Sequence, residues 1–330
     1  MLKYIIKRII FMIPTVLIIS MLTFIVIQLP PGDYLTKIVS QLQEQGQTLE
    51  FAELEALKAR YGLDQPLHVQ YWRWFWPIVT KGDFGRSFSY NMPVADMIWS
   101  RMGYTVFVSF VTLLFTWVVS LPIGIYSAIK QYSIGDYVFT FLGFIGMAVP
   151  SFLFALILMF VSFKHFGVSL GGLFSPEFVA APWSWARFVD MLGHIWIPVV
   201  VLGAAGTANM IRTMRANLLD EKRKTYVLAA RARGLNETKM ILQYPVRVAM
   251  NPFISTIGTS LANLFSGSTV TAIVLSLPMC GPMLIEALQT QDMYLAGSFL
   301  FIMSILTVFG TLISDILLAI VDPRIRYEKG

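Results

Sequence analysis

Ile9-Ile10-Phe11-Met12-Ile13-Pro14-Thr15-Val16-Leu17-Ile18-Ile19-Ser20-Met21-Leu22-Thr23-Phe24-Ile25-Val26-Ile27-Gln28-Leu29 carries no charge from end to end. A helix of about 20 residues crosses the roughly 30 Å of a bilayer's hydrocarbon at about 1.5 Å per residue. A cleaved leader would share the basic start, Lys3, Lys7 and Arg8. Its apolar core would be shorter, roughly 7–15 residues, and a small-x-small cleavage site would follow. Here Gln28-Leu29-Pro30-Pro31-Gly32 follows, so residues 1–29 are expected to form a retained first membrane helix.

The rest of the chain agrees. Of 330 residues, 56% are apolar and only 13% charged, with a mean hydropathy of +0.67. Soluble domains run nearer 45–50% apolar and about 25% charged. Five further apolar runs are long enough to cross: Thr105–Ile129, Tyr137–Phe163, Ile195–Ile211, Phe253–Leu277 and Leu295–Val321. The expected fold is an all-α integral membrane protein with six transmembrane helices. Residues 30–104 form an external loop with short helices. Residues 105–321 hold the other five spans and a cytoplasmic loop over 217–250, and residues 322–330 are a cytoplasmic tail.

The net charge of +6 is accounted for by sidedness. Lys and Arg concentrate in cytoplasmic loops. Lys3, Lys7, Arg8, Lys130, the basic residues from Arg212 to Arg247, and Arg324, Arg326 and Lys329 all fall on one side of a six-span topology. Both termini are therefore expected in the cytoplasm, and no nucleic-acid partner is needed to explain the charge. The single cysteine, Cys280, cannot form an internal disulfide, and the three histidines, His68, His165 and His194, are too scattered for a metal site. No catalytic constellation, cofactor site or metal site is expected. Asp83-Phe84-Gly85 spells a kinase metal motif without its companion segments, and is set aside.

Two inter-span segments are long. In the external one, Thr48 can cap a helix that ends at Gly62, and Pro66–Trp76 holds a dense aromatic cluster. That cluster reads as a helix at the outer membrane surface, either an aromatic belt anchor or a ledge for a docking protein or substrate. In the cytoplasmic one, Thr225–Arg233 is rich in Ala and Arg, which are good helix formers. Gly234 supplies a left-handed stop, and Asn236 can cap a second helix running to Tyr244, before Pro245. The small residues Ala229, Ala230 and Ala232 leave a thin helix that suits another protein's groove, with arginines to pair with acids on its rim.

Tyr226-Val227-Leu228-Ala229-Ala230-Arg231-Ala232-Arg233-Gly234-Leu235 resembles the "EAA" loop in membrane subunits of bacterial ABC importers, most closely the dipeptide/oligopeptide branch. Pro31-Gly32-Asp33, Arg60-Tyr61-Gly62-Leu63-Asp64-Gln65-Pro66, Gly82-Asp83-Phe84-Gly85-Arg86-Ser87, Leu277-Pro278 and Asp322-Pro323-Arg324 are similar to that branch's other signatures, in order. Three positions depart from it. Leu228 replaces a usual Glu, Asn251-Pro252 a usual Leu-Pro, and Met279-Cys280-Gly281-Pro282 a usual Gly-Leu-Gly.

The resemblance implies a type I importer permease in the bacterial inner membrane. It would pair with a second homologous permease subunit, two ATPase subunits and an extracytoplasmic substrate-binding protein. It also implies ATPase coupling through Tyr226, Ala229, Ala230, Arg231, Arg233, Gly234 and Leu235. The chain has no Walker A loop, so energy must come from a partner or an ion gradient. Oligopeptides or related small solutes are the expected cargo, with an oligosaccharide as the alternative and an ion-coupled secondary transporter as the rival class. Span five is rich in polar residues, which either line a wet channel or stitch helices together. Asn263, Ser266 and Thr269 are its pathway candidates. Asp315, an acid within the last span, is expected to face protein and pair with Arg212.

Overall fold

In the computed structural model the described residues are 2–29, 35, 39, 64–167, 171–255, 257, 260 and 269–321. They are helical apart from turns, loops and one isolated antiparallel bridge, Arg86 to Pro93. Pro31-Gly32-Asp33, the Thr48–Gly62 helix, Asn263, Ser266 and Asp322-Pro323-Arg324 lie outside the described residues.

Helix α1 spans Leu2–Gln28, α2 Leu67–Lys81, α3 Val94–Ile129, α4 Ile134–Ala148, α5 Ser151–Phe166 and α6 Trp185–Lys222. The short helices α7 (Thr225–Ala232), α8 (Glu237–Gln243), α9 (Pro245–Ala249) and α10 (Asn251–Ser255) follow. Then come α11 (Thr269–Val274), α12 (Cys280–Gln289) and α13 (Met293–Val321).

Four of these are long and apolar enough to cross a bilayer: α1, α3, α6 and α13. A fifth crossing is available if α4 and α5 count as one broken span, bent by 101°. The expected fifth run, Phe253–Leu277, is described only towards its two ends, in α10 and α11.

Two boundaries need correction. Helix α3 begins at Val94 instead of Thr105, and α6 runs from Trp185 to Lys222 instead of Ile195–Ile211. At 36 and 38 residues they measure about 54 and 57 Å, well beyond the hydrocarbon. Charges such as Asp96, Arg101 and Arg215 end an apolar run without ending a helix. The expected span Tyr137–Phe163 is interrupted at Pro150. Pro150 lacks an N–H and disfavours helix at the residue before it. Val149 accordingly turns extended (ψ 119°), and α5 starts afresh.

The chain falls into two compact units, one drawn from Met1–Ile5, Tyr104–Pro278 and Phe309–Gly330, the other from Ile6–Gly103 and Met279–Val308. In the first, α4 and α5 pack on α6, and α3 approaches α6 closely enough that a β-carbon on Gly124 would lie 2.7 Å from that of Met214. Arg187, near the start of α6, is 9% exposed and caged by aromatics. Its guanidinium lies 4.6 Å from the Phe174 ring centre and 5.0 Å from that of Trp183. It donates to the Val179 carbonyl (3.2 Å), the Ala181 carbonyl and the Tyr104 hydroxyl (3.4 Å).

The second unit settles how the aromatic stretch packs. Tyr71, Trp74, Phe75 and Ile78 of α2 are buried with Phe24, Phe88, Met293 and Phe301, so this face of α2 is core. Trp74 Nε1 donates to Ser298 Oγ at 3.3 Å, and the Tyr71 and Ser20 hydroxyls share a bond of 2.8 Å. Of the Phe, Tyr and Trp rings of α2, Trp72 and Trp76 are exposed.

The Asp83-Phe84-Gly85 motif also finds a structural role. Asp83 Oδ1 accepts from the Gly85 N–H at 2.9 Å. Gly85 sits at φ +76° against the Tyr294 ring, where a β-carbon would come within 2.5 Å. Two residues on, Ser87 Oγ donates to the buried carboxylate of Asp292 at 2.5 Å.

Candidate functional site

Helices α7, α8 and α9 are eight, seven and five residues long, too short to persist alone in water. Burial holds them. Val227 and Ala230 of α7, Met240 and Ile241 of α8, and Val246 and Ala249 of α9 pack with Met214 and Leu218 of α6, Ala128 of α3 and Phe253 of α10. Fully burying an aliphatic or Met side chain from water contributes about 1.5–3 kcal/mol.

The turn between α7 and α8 follows its local sequence. Gly234 is left-handed, φ +74°, and its N–H donates to the Arg231 carbonyl at 3.0 Å. Asn236 caps α8, its Oδ1 accepting from Thr238 N at 3.1 Å and Lys239 N at 3.4 Å. Arg231 reaches across the turn to Glu237 through two bonds, Nη2 to Oε1 at 2.6 Å and Nε to Oε2 at 3.1 Å. The guanidinium holds the Glu237 carboxyl below the usual carboxylate range. At the other end of α7, Glu221 takes the Tyr226 hydroxyl at 2.6 Å and the Lys224 ammonium.

Glu221 and Glu237 were not singled out from sequence. Glu237 lies six residues from Arg231, a spacing that no single-helix pairing rule covers. Between them they place a carboxylate beside each end of α7.

The loop divides into two faces. Tyr226, Leu228, Ala229, Arg231, Ala232, Arg233, Gly234 and Leu235 are exposed. Ala230 is not; it is 8% exposed and turned into the cluster beside Val227. That corrects the expectation that Ala230 sits on the docking face. Helical spacing puts Val227 and Ala230 three apart on one side, with Leu228, Ala229 and Ala232 on the other.

Thr269 opens α11, half-buried. Two residues on, Thr271 shares a hydroxyl–hydroxyl bond of 2.8 Å with Ser151, the first residue of α5 after the break. Arg212 donates to Asn209 in its own helix at 3.3 Å. The expected Arg212–Asp315 pair is not among the ion pairs of the described residues. One turn on in α6, Arg215 pairs with Asp136 at the start of α4, with Nε to Oδ1 and Nη2 to Oδ2 both at 2.9 Å. No group of three or more potential metal ligands occurs among the described residues.

The family described as "Binding-protein-dependent transport system inner membrane component" matches residues 120–327, and its N-terminal companion matches residues 1–109. The chain belongs to this family. It is a multi-pass permease of an ABC importer, similar to the oligopeptide transport system permease protein AppB of Bacillus subtilis (34% identity; 99% of this chain, 100% of the relative). It is also similar to the glutathione transport system permease protein GsiC of Salmonella paratyphi A (30%; 99% and 100%) and the dipeptide transport system permease protein DppB of Escherichia coli (28%; 100% and 100%). As a permease it is not itself an enzyme: ATP is hydrolysed on separate ATPase subunits, and a substrate-binding protein serves the system.

Proposed function

We propose that this permease forms one half of the translocation pathway of an ATP-driven importer of oligopeptides or related small solutes, and that α7 transmits the ATPases' movement to it. The observation that carries the reading is the two-faced loop. Val227 and Ala230 fasten α7 to its own chain, while Leu228, Ala229, Ala232 and Leu235 are left uncovered beside two arginines. A face of small apolar residues rimmed by positive charge suits a groove with an acidic edge. Six spans, cytoplasmic termini, the 30–104 segment as an external helical insertion, and a second homologous permease around the pathway belong to the same reading. Asn263, Ser266 and Thr269 are its pathway lining. When the ATPases close, their grooves carry α7 along and α6 tilts with it, a rigid-body transition between two states.

The named relatives carry oligopeptide, dipeptide and glutathione in their descriptions, which favours a peptide cargo over an oligosaccharide. Ligand-stimulated ATP hydrolysis by the reconstituted complex, read across a panel of peptides and oligosaccharides, decides the cargo.

Ala229→Trp tests the coupling in the same complex. It should abolish transport and ligand-stimulated ATP hydrolysis while membrane insertion stays normal, and normal coupling in that variant removes the assignment. Solute accumulation by the purified chain alone, without nucleotide, would return the ion-coupled class to favour.

A further inference from the structure

The break at Pro150 leaves a cavity of about 400 Å³ among α3, α4, α5 and α6. Its walls include Phe115 of α3, Phe139, Gly143 and Gly146 of α4, and Ala204 and Ala208 of α6, and among the described residues only Ser151 and Thr207 bring hydroxyl groups to it. All four helices are among the candidate membrane-crossing segments. A cavity this apolar does not hold water, so within a membrane an apolar chain suits it.

Three features specify what fills it. The first is length. The lining on α6 runs from Val200 to Ile211, which is about 16 Å along a helix and close to the roughly 15 Å depth of one leaflet's hydrocarbon. The second is charge. Arg212 follows Ile211 directly and lies on the same stripe as Ala205 and Ala208, seven and four residues back. It is exposed, bonds Asn209 within its own helix, and enters none of the ion pairs of the described residues. Its neighbour Arg215 is already committed to Asp136. The third is Thr207, whose hydroxyl is buried in the lining with no hydrogen-bond partner.

We infer that this groove holds one acyl chain of an anionic glycerophospholipid, with the lipid phosphate on Arg212 and an ester carbonyl within reach of the Thr207 hydroxyl. Basic residues where helices meet the polar zone suit anionic headgroups, and a planar guanidinium suits a phosphate's paired oxygens. The site rests on the reading of α3 to α6 as membrane-crossing and is independent of the cargo. The lipid fills the angle of the broken span, so its presence favours the bent arrangement of α4 and α5.

Native mass spectrometry of the full chain in detergent, titrated with phosphatidylglycerol or phosphatidylcholine, tests this. The unaltered chain should retain phosphatidylglycerol about tenfold more strongly than phosphatidylcholine, a ratio worth about 1.4 kcal/mol. Arg212→Gln should erase that preference, and Arg212→Lys should keep part of it. Ala205→Phe, at an exposed position on the groove, should weaken retention of both lipids. Unchanged preference in Arg212→Gln, or unchanged retention in Ala205→Phe, overturns the site. So does efficient disulfide cross-linking between two copies carrying Ala205→Cys, which would put protein where the lipid is placed.

Discussion

Asp292 and Glu237 each hold a turn together, one in a dry interior and the other in water. Asp292 is fully buried. It accepts from Ser87 Oγ at 2.5 Å, Ser89 N at 3.1 Å and Leu295 N at 3.1 Å, the last bond capping α13. These partners are neutral and lie on segments about 200 residues apart in sequence. Glu237 is exposed, its partner Arg231 is a charged side chain six residues away, and both are surrounded by solvent. The first arrangement has no substitute once a donor is stranded. The second trades with water at little cost. A turn held like that of Asp292 stays fixed, and one held like that of Glu237 can exchange its partner for water or another charge.

Removing Asp292 should have the largest effect. Asp292→Ala strands the Ser87 and Ser89 donors and uncaps α13, with an expected loss of about 3–5 kcal/mol. Thermal unfolding of the detergent-solubilised chain would show it, and a melting point within a degree of the unaltered protein would contradict the difference drawn between the two turns. Gly234→Ala comes next. A β-carbon at φ +74° meets no neighbouring atom, so the cost is conformational only, about 1–2 kcal/mol. It should appear as faster proteolysis within the α7–α8 turn, leaving the rest of the chain protected.

The smallest effect belongs to Glu237. Its carboxyl is held down by Arg231, so its stabilising contribution is complete above the ordinary carboxylate pKa of about 4.3 and is lost as pH falls through the lower folded value. Glu237→Gln should leave the melting point unchanged at pH 7. Lowering the pH should therefore loosen the α7–α8 turn in the unaltered chain but produce no such change in Glu237→Gln. Hydrogen exchange of the Gly234 amide reads this directly. High salt should mimic the substitution, because an exposed pair is screened.

The features legible in the sequence were local ones. The left-handed Gly234, the Asn236 cap and the extent of α7 follow from residues within a few positions of each other, and each is found as expected. Hydropathy located membrane segments but not helix ends, because Arg101 and Arg215 are polar without being helix breakers. Pro150 was visible, but the apolar run continued across it, and hydropathy is blind to direction. Ala230 was misplaced because an eight-residue helix of small residues offers no contrast between faces; only Met214, Leu218 and Val227 in three dimensions decide which side is covered. The partners of Asp292 and Arg215 lay too far along the chain for any spacing rule to find.

Helix α6 runs as one helix past its caged Arg187 to Lys222, just before α7, while its neighbours α4 and α5 meet at a corner. Pro198 lies inside α6 and removes one backbone hydrogen bond, yet the helix continues past it for a total of about 57 Å. Under the coupling proposed above, the Pro150 elbow, where the backbone turns by 101°, is the joint beside α6 that would take up a movement begun at the Lys222 end.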